Sequence, residues 1–387
     1  LAGIATTAIA DYSRENSGIM HHYLNAVSPL DDLQAMVARA RASRPAHRIS
    51  GVVCKMTPSY LVVSGLSKFV SIGDAVAVAA NGTEALAEVA SIDIDTINIT
   101  LVTSGAKVEL GAAVTVLTGP LKLAPHISWK GRVLNALGEP IDDGPALQPG
   151  DEAVRIDGAS PAPLRRQRLG GYMPTGVAAI DLLTPICAGQ RIGIFAGSGV
   201  GKSTLLAMLS RAPSFDVTVL ALVGERGREV RDFLEDTLGE NREHVIAIVS
   251  TADETPMMRR LAPNSAMCIA EYFRKQGQNV LLIVDSVTRY AHAMRELALA
   301  SQEPPVARGY PPSVFSALSR FLERAGTGEE PSGTITAVLS VLVDGDDHND
   351  PIADATRGIL DGHVVLDRAI AAQGRFPAVD PLASISR

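Results

Sequence analysis

Cysteine is scarce in this chain, and so is most of what marks a secreted, membrane-spanning or nucleic-acid-coating protein. The three cysteines, Cys54, Cys187 and Cys268, are odd in number, far apart and outside any CxxC spacing, so neither a disulfide framework nor a thiolate zinc site is expected. No stretch approaches the roughly 20 uninterrupted apolar residues of a membrane-spanning helix. The first residues, which start at Leu1 rather than a methionine, lack a basic region followed by an apolar core and a cleavage site, so a secretory leader is not expected. The cytosol is the simplest home. Positive charge is not in excess either: 35 Lys and Arg stand against 42 Asp and Glu, a formal charge of −7, which gives no global attraction to phosphate backbones or anionic membranes. Nucleic acid is therefore not an expected partner.

What is present is 387 residues, 46% of them hydrophobic, enough for two or three domains around a substantial core. Residues 1–46 read as an N-terminal arm with one helix, because Leu33, Met36, Val37 and Ala40 recur at helical spacing in "DDLQAMVARARA". From 47 to 121 the texture changes to short β-rich runs, "ISGVVCKM", "YLVVSG", "DAVAVAA", "ALAEVASI", "TINITLVT" and "AAVTVLTG", separated by Gly, Asn and Asp turns. Strands this short and closely spaced predict a small β-barrel. Its only aromatics are Tyr60 and Phe69, too few for a surface that stacks bases.

From 122 to 387 the pattern is α/β. Strands are predicted at "RIGIFA" (191–196), "VTVLALVG" (217–224), "VIAIVST" (245–251), "NVLLIVD" (279–285) and "TITAVLSVLV" (334–343), with amphipathic stretches such as "REVRDFLEDTL" and "RYAHAMRELALA" between them. Continuous β-branched runs joined by helices describe a mostly parallel sheet buried on both faces. Pro263 falls inside the longest helical stretch and predicts a kink or a break there.

"AGSGVGKST" (196–204) follows a strand and opens a helix, which is where a phosphate loop must sit. Gly197, Gly199 and Gly201 let the backbone around Val200 fold tightly, so that successive N–H groups face phosphate oxygens at the positive end of the helix. Lys202 is then placed to reach the β- and γ-phosphates of ATP, and the Ser203 hydroxyl, next to Thr204, to ligate Mg²⁺. Ala196 replaces the first glycine of the strict pattern, outside the cradle itself. Asp285 ends a predicted strand, and ligands of open parallel sheets bind beyond the carboxyl ends of strands. It is a candidate for holding Mg²⁺, directly or through water; the alternative is a helix cap. Glu225 and Arg226 lie just past another strand end, where a carboxylate can orient the attacking water and an arginine can neutralise γ-phosphate charge. The alternative there is a solvated charge run at a helix start.

These segments, taken with "LLIVDSVTRYAHAMRE", "EPPVARGYPPSVF", "GDDHNDPIADATRGILDGH" and "FPAVDPLASISR", resemble in order and sequence the rotary-type ATPases of protein secretion, and most closely the flagellar type III export ATPases, relatives of the catalytic subunit of F-type ATP synthase. The resemblance spans about 47–387 and includes the signature P-A-V-D-x-x-x-S-x-S from Pro377 to Ser386. It implies a RecA-like P-loop core behind the barrel and Mg²⁺-dependent ATP hydrolysis in a homohexameric ring. Glu225 matches the family's catalytic glutamate, Arg226 a residue contacting the γ-phosphate, and Phe376 the aromatic on which adenine stacks. Arg387 matches the arginine finger donated to a neighbour's nucleotide, and family members continue beyond it into a C-terminal helical domain that this sequence lacks.

By the same resemblance the expected partners are an export regulator bound by the N-terminal helix, a central stalk touched near Asp347 and Asp350, and the export gate with its substrate–chaperone complexes, in peripheral association with the inner face of the cytoplasmic membrane. An injectisome ATPase is the nearest alternative. A Rho-like RNA translocase is disfavoured by the acidic balance and the aromatic-poor barrel, and a non-catalytic nucleotide-binding subunit by Glu225, where such subunits carry glutamine.

Overall fold

The computed structural model describes residues 48–237, 243–343 and 350–387. The arm expected over 1–46 and Asp347 lie outside the described residues.

Six strands, β1 (Ser50–Met56), β2 (Leu61–Ser64), β3 (Asp74–Ala80), β4 (Thr83–Ile92), β5 (Thr96–Leu101) and β6 (Ala113–Pro120), close into an antiparallel barrel of order β1-β2-β5-β4-β3-β6. Alternation drives the closure: Val63, Val76, Val78, Ala87, Val89, Ile97, Ile99 and Val114 are fully buried in the barrel core, and except on β3, where Ala75 and Ala77 are buried as well, the residues between them are more exposed. Tyr60 contributes nothing to that core and Phe69 is exposed.

A short ribbon pairs β7 (Lys122–Leu123) with β9 (Val154–Arg155), and β8 (Val133–Leu134) lies between them in sequence. Beyond helix α1 (Ala178–Leu183), β10 (Arg191–Ala196) leads into α2 (Lys202–Ser210), and β11 (Val217–Glu225) into α3 (Gly227–Asp232), which continues as a π turn over Phe233–Thr237. Next come β12 (Val245–Thr251), α4 (Pro256–Lys275), β13 (Asn279–Asp285), α5 (Val287–Ala300), α6 (Pro312–Arg324), β14 (Gly326–Thr327) and β15 (Thr334–Leu342). The chain ends with α7 (Pro351–Ile359), β16 (Gly362–Leu366), α8 (Arg368–Ala372) and β17 (Val379–Ser386).

The main sheet has the order β17-β16-β10-β15-β13-β11-β12-β8, parallel except for β17, with β14 flanking β15 antiparallel. Its central strands are buried on both faces, and the two-residue period sorts their side chains between two cores. Val217, Val219, Ala221 and Val223 join one face with Val280, Leu282 and Val284, against α4, α5 and α6. Leu220 and Leu222 join the other with Ile192, Ile194, Leu281 and Ile283, against α2.

Helix α4 departs from expectation. It runs unbroken for 20 residues through Pro263, which is itself buried. An interior proline costs roughly 3 kcal/mol, but Met258, Leu261, Ala262, Ala266, Ile269 and Phe273 bury one continuous face, each large apolar side chain contributing about 1.5–3 kcal/mol. Packing therefore outweighs the missing N–H. Thr255 caps the helix by accepting from the Met258 N–H at 3.1 Å, and its own hydroxyl donates to the Val102 carbonyl at 2.5 Å. With the Arg260–Glu88 ion pair at 2.5 Å, this ties α4 to the barrel.

Candidate active site

β10 ends at Ala196 and α2 begins at Lys202, leaving a glycine loop between them. Gly199 (φ 78°) and Gly201 (φ 89°) take the left-handed conformation that side-chain-bearing residues avoid. At Gly201 space matters as well, since a Cβ there would sit 3.2 Å from the Phe376 ring. Val200 turns its side chain into the core, so at that position only the main chain is offered to a ligand. A cavity of about 550 Å³ opens over the loop, lined by Gly197, Gly199, Gly201, Lys202, Ser203, Thr204, Glu225 and Arg289 among others. A larger cavity of about 690 Å³ lies between the barrel and the start of α4, but it holds no glycine loop and none of these residues.

Three strand ends converge on the loop. Lys202 Nζ pairs with the Asp285 carboxylate at the end of β13 and lies 4.0 Å from Glu225 Oε1 at the end of β11. Asp285 is nearly inaccessible and accepts a second hydrogen bond from Ser340 Oγ on β15 at 2.6 Å. Arg289, in the first turn of α5, brings its Nε to 3.4 Å from Glu225 Oε1. Burial pushes the Glu225 carboxyl above the usual range and the nearby Asp285 charge adds to this, while Lys202 and Arg289 pull it back.

Gly224 makes the convergence possible. Its φ of 67° bulges the strand end, and a Cβ there would meet Arg289 Cδ at 2.9 Å. The glycine of Gly-Glu-Arg thus opens the way for a side chain from another helix.

The remaining candidates divide. Phe376 lies against Gly201 and is otherwise 62% exposed, which leaves ring surface beside the phosphate loop. Arg226 lines the cavity rim but is 82% exposed at the side chain, with Glu229 as an ion-pair partner at 3.4 Å. Asp350 is an N-cap, accepting from the Ile352 and Ala353 N–H groups at 2.9 and 3.0 Å.

Arg387 is not brought to the cluster. Strand β17 starts near the loop, where Val379 pairs with Leu366, and runs antiparallel to the far end of the sheet, where Ser386 pairs with Gly362. Its two ends pair with Leu366 and Gly362, four residues apart on β16, a span of roughly 13 Å at 3.3 Å per residue, so Phe376 and Arg387 flank opposite ends of one strand.

Arg289 and Ser340 were missed in the sequence reading. A signal existed for the first: a cation in the opening turn of a helix opposes the helix dipole, and that misfit marks a side chain needed elsewhere. Ser340 carries no such mark, being one of three hydroxyl residues in a largely apolar strand.

A glycine loop between strand and helix, a lysine at its exit, and two carboxylates on adjoining strand ends define a P-loop nucleoside triphosphatase. Residues 176–386 match the family described as "ATP synthase alpha/beta family, nucleotide-binding domain". The flagellum-specific ATP synthase of Rhizobium meliloti is 54% identical over 337 residues, 87% of this chain and 72% of that protein. The type 3 secretion system ATPase of Xanthomonas euvesicatoria is 49% identical over 281 residues, 72% of this chain and 61% of that one. Among solved structures, the assembled ATPase EscN from the type III secretion system of enteropathogenic E. coli superposes with a TM-score of 0.79 at 40% identity, covering 87% of this chain and 80% of its own. A complex of EscN with its central stalk EscO matches equally well. The chain belongs to the ATP synthase alpha/beta family, in the branch of the flagellar and type III secretion ATPases, and is an ATP-hydrolysing enzyme.

Proposed function

We propose that this chain hydrolyses ATP at sites completed between neighbouring copies in a homohexameric ring, and that the hydrolysis energises protein export for flagellar assembly. The observation that carries the reading is the separation of Arg387 from the Lys202–Glu225–Asp285 cluster by the length of β17. An arginine that cannot reach its own loop is available to the loop of a neighbour. The flagellar reading is preferred to the injectisome one because the Rhizobium relative is the more similar of the two reported and the more fully covered.

In this reading the loop N–H groups and Lys202 hold the β- and γ-phosphates. Glu225 orients a water molecule and takes its proton as the water oxygen bonds to the γ-phosphorus. The bond to the bridging oxygen breaks, and ADP leaves with that electron pair. A carboxylate made more basic by burial is a better proton acceptor than an exposed one, and Arg289 keeps it ionised and aimed. Phe376 offers its free ring surface to adenine.

Mg²⁺ fits the donor set. Ser203 and the Asp285 carboxylate line one cavity of about 250 Å³, and among the described residues no cluster of three or more His, Cys, Asp or Glu forms a cage of its own. One carboxylate plus a hydroxyl, completed by phosphates and water, is how a small hard cation is usually held. When bound there it would neutralise charge on the β- and γ-oxygens.

EscN has been solved with a central stalk, which supports a stalk partner for this chain too. The export regulator, gate and chaperoned substrates follow as further partners. Attachment to the export apparatus is peripheral in this reading, from the cytoplasm; among the described residues no helix is long and apolar enough to cross a membrane.

The test is specific ATPase activity across a wide range of protein concentration, with Arg387→Ala alongside. Activity that rises with concentration and is lost in the variant is the expected result. Activity independent of both would overturn the shared site.

A further inference from the structure

Gln190 sits directly before β10 with its side chain 1% exposed, one of few polar groups so deeply buried. Its Oε1 accepts from the Cys187 N–H at 2.7 Å, which closes the turn that leads into the strand. That local task needs only an acceptor. The other end of the amide does something else: Nε2 donates to the Arg387 carbonyl at 2.6 Å, with Ser386 Oγ at 3.4 Å, across nearly the whole length of the domain in sequence.

The groups around it converge on the same short segment. The Arg387 N–H donates to the Asp361 carbonyl at 3.1 Å. Asp361 is itself held by Arg191, whose N–H and Nε reach Oδ2 at 2.9 and 3.1 Å while Nη2 reaches Oδ1 at 3.1 Å. Ser386 Oγ donates to the Pro185 carbonyl at 2.6 Å. Both main-chain polar groups of Arg387 are thus bonded, one to Gln190 before β10 and one to Asp361 before β16, and its side chain is exposed.

We infer that Gln190 is a positioning residue for Arg387, fixing the backbone from which the guanidinium is offered to the neighbouring site; the inference rests on the reading of Arg387 as a group donated between copies. A long side chain delivers a charge accurately only if its root is rigid, because small displacements at the root are carried to the tip. Gln190 supplies that rigidity from a strand whose opposite end forms the chain's own phosphate loop.

Gln190→Glu separates the two tasks, since it keeps an acceptor for the Cys187 N–H and loses the donor to Arg387. At protein concentrations where activity has saturated, it should lower kcat about tenfold, the scale of one lost hydrogen bond. Binding of a fluorescent ATP analogue should not change; Tm should fall, because the new carboxylate is buried with one oxygen lacking a donor. In an Arg387→Ala background it should cause no further loss. Mixing Gln190→Glu with Glu225→Gln chains should give more activity than the two measured apart. In such mixtures the well-held Arg387 of one serves the intact Glu225 of the other.

An undiminished effect in the Arg387→Ala background, no gain on mixing, or a Gln190→Glu enzyme equal to the parent would each overturn the role of Gln190. An inactive Gln190→Glu chain with altered nucleotide binding is replaced by Gln190→Met, which keeps the volume, under the same criteria. If Arg387→Ala alone leaves kcat unchanged, the donation itself fails, a result distinct from all of these.

Discussion

Replacing Glu225 by glutamine removes one charge and leaves shape almost untouched. Its main-chain carbonyl accepts from the Ala252 N–H at 3.0 Å, a bond the substitution keeps. The side chain is held by charge alone, with Arg289 Nε at 3.4 Å and Lys202 Nζ at 4.0 Å. Because burial already raises the proton affinity of this carboxyl, a neutral amide relieves a cost, and Tm should stay level or rise. Nucleotide should bind at least as tightly, since a negative charge beside the phosphates is gone. Turnover should fall by roughly 10²–10⁴, the scale of general-base catalysis, or about 3–5 kcal/mol of barrier. Steady-state ATP hydrolysis, nucleotide binding and thermal melting on one preparation check all three. A kcat within tenfold of the parent, or a Tm that falls in step with activity, would refute the assignment of Glu225 as the base.

Two further outcomes follow from the same geometry. Arg289→Ala removes a charge that holds the Glu225 proton affinity down; Glu225 must be ionised to act, so the acid limb of the kcat/KM profile should move to higher pH, and Arg289→Lys should move it less. An unmoved limb would separate Arg289 from Glu225. Buried Arg324 donates twice to Glu271 at 2.9 Å, and to the Ile156 carbonyl; Arg324→Met should cost about 3–5 kcal/mol by urea denaturation, with most of it recovered on adding Glu271→Leu. No recovery would mean that the packing of the arginine stem, rather than the stranded carboxylate, sets the cost.

How much of this was legible in the sequence depends on range. Strand positions were legible because buried strands announce themselves by unbroken β-branched runs, and the phosphate loop because its glycines and lysine must be contiguous. The Lys202–Asp285 pair could be anticipated from strand ends meeting on one rim. Pro263 misled because local propensity yields to the face that α4 buries. Arg289 depends on how α5 turns beside Gly224, and Gln190 on a bond to a residue almost 200 positions away; neither is carried by a neighbouring pattern. The reversal of β17, which carries Arg387 from one end of the sheet to the other, is topology, and a run of alternating residues does not say which way it runs.

β17 is also the outer strand of its sheet, paired only with β16 among the described residues. A long regular strand in that position is a template on which other chains can stack. This one is interrupted. Pro381 has no N–H to offer, Asp380 Oδ1 takes up the N–H groups of Leu382 and Ala383 at 2.9 and 3.2 Å, and the register slips between His363 and Val365. The prolines, aspartate and serines of the closing signature therefore do more than shape a route to Arg387. They withhold the open backbone ladder along which identical chains would otherwise stack and aggregate.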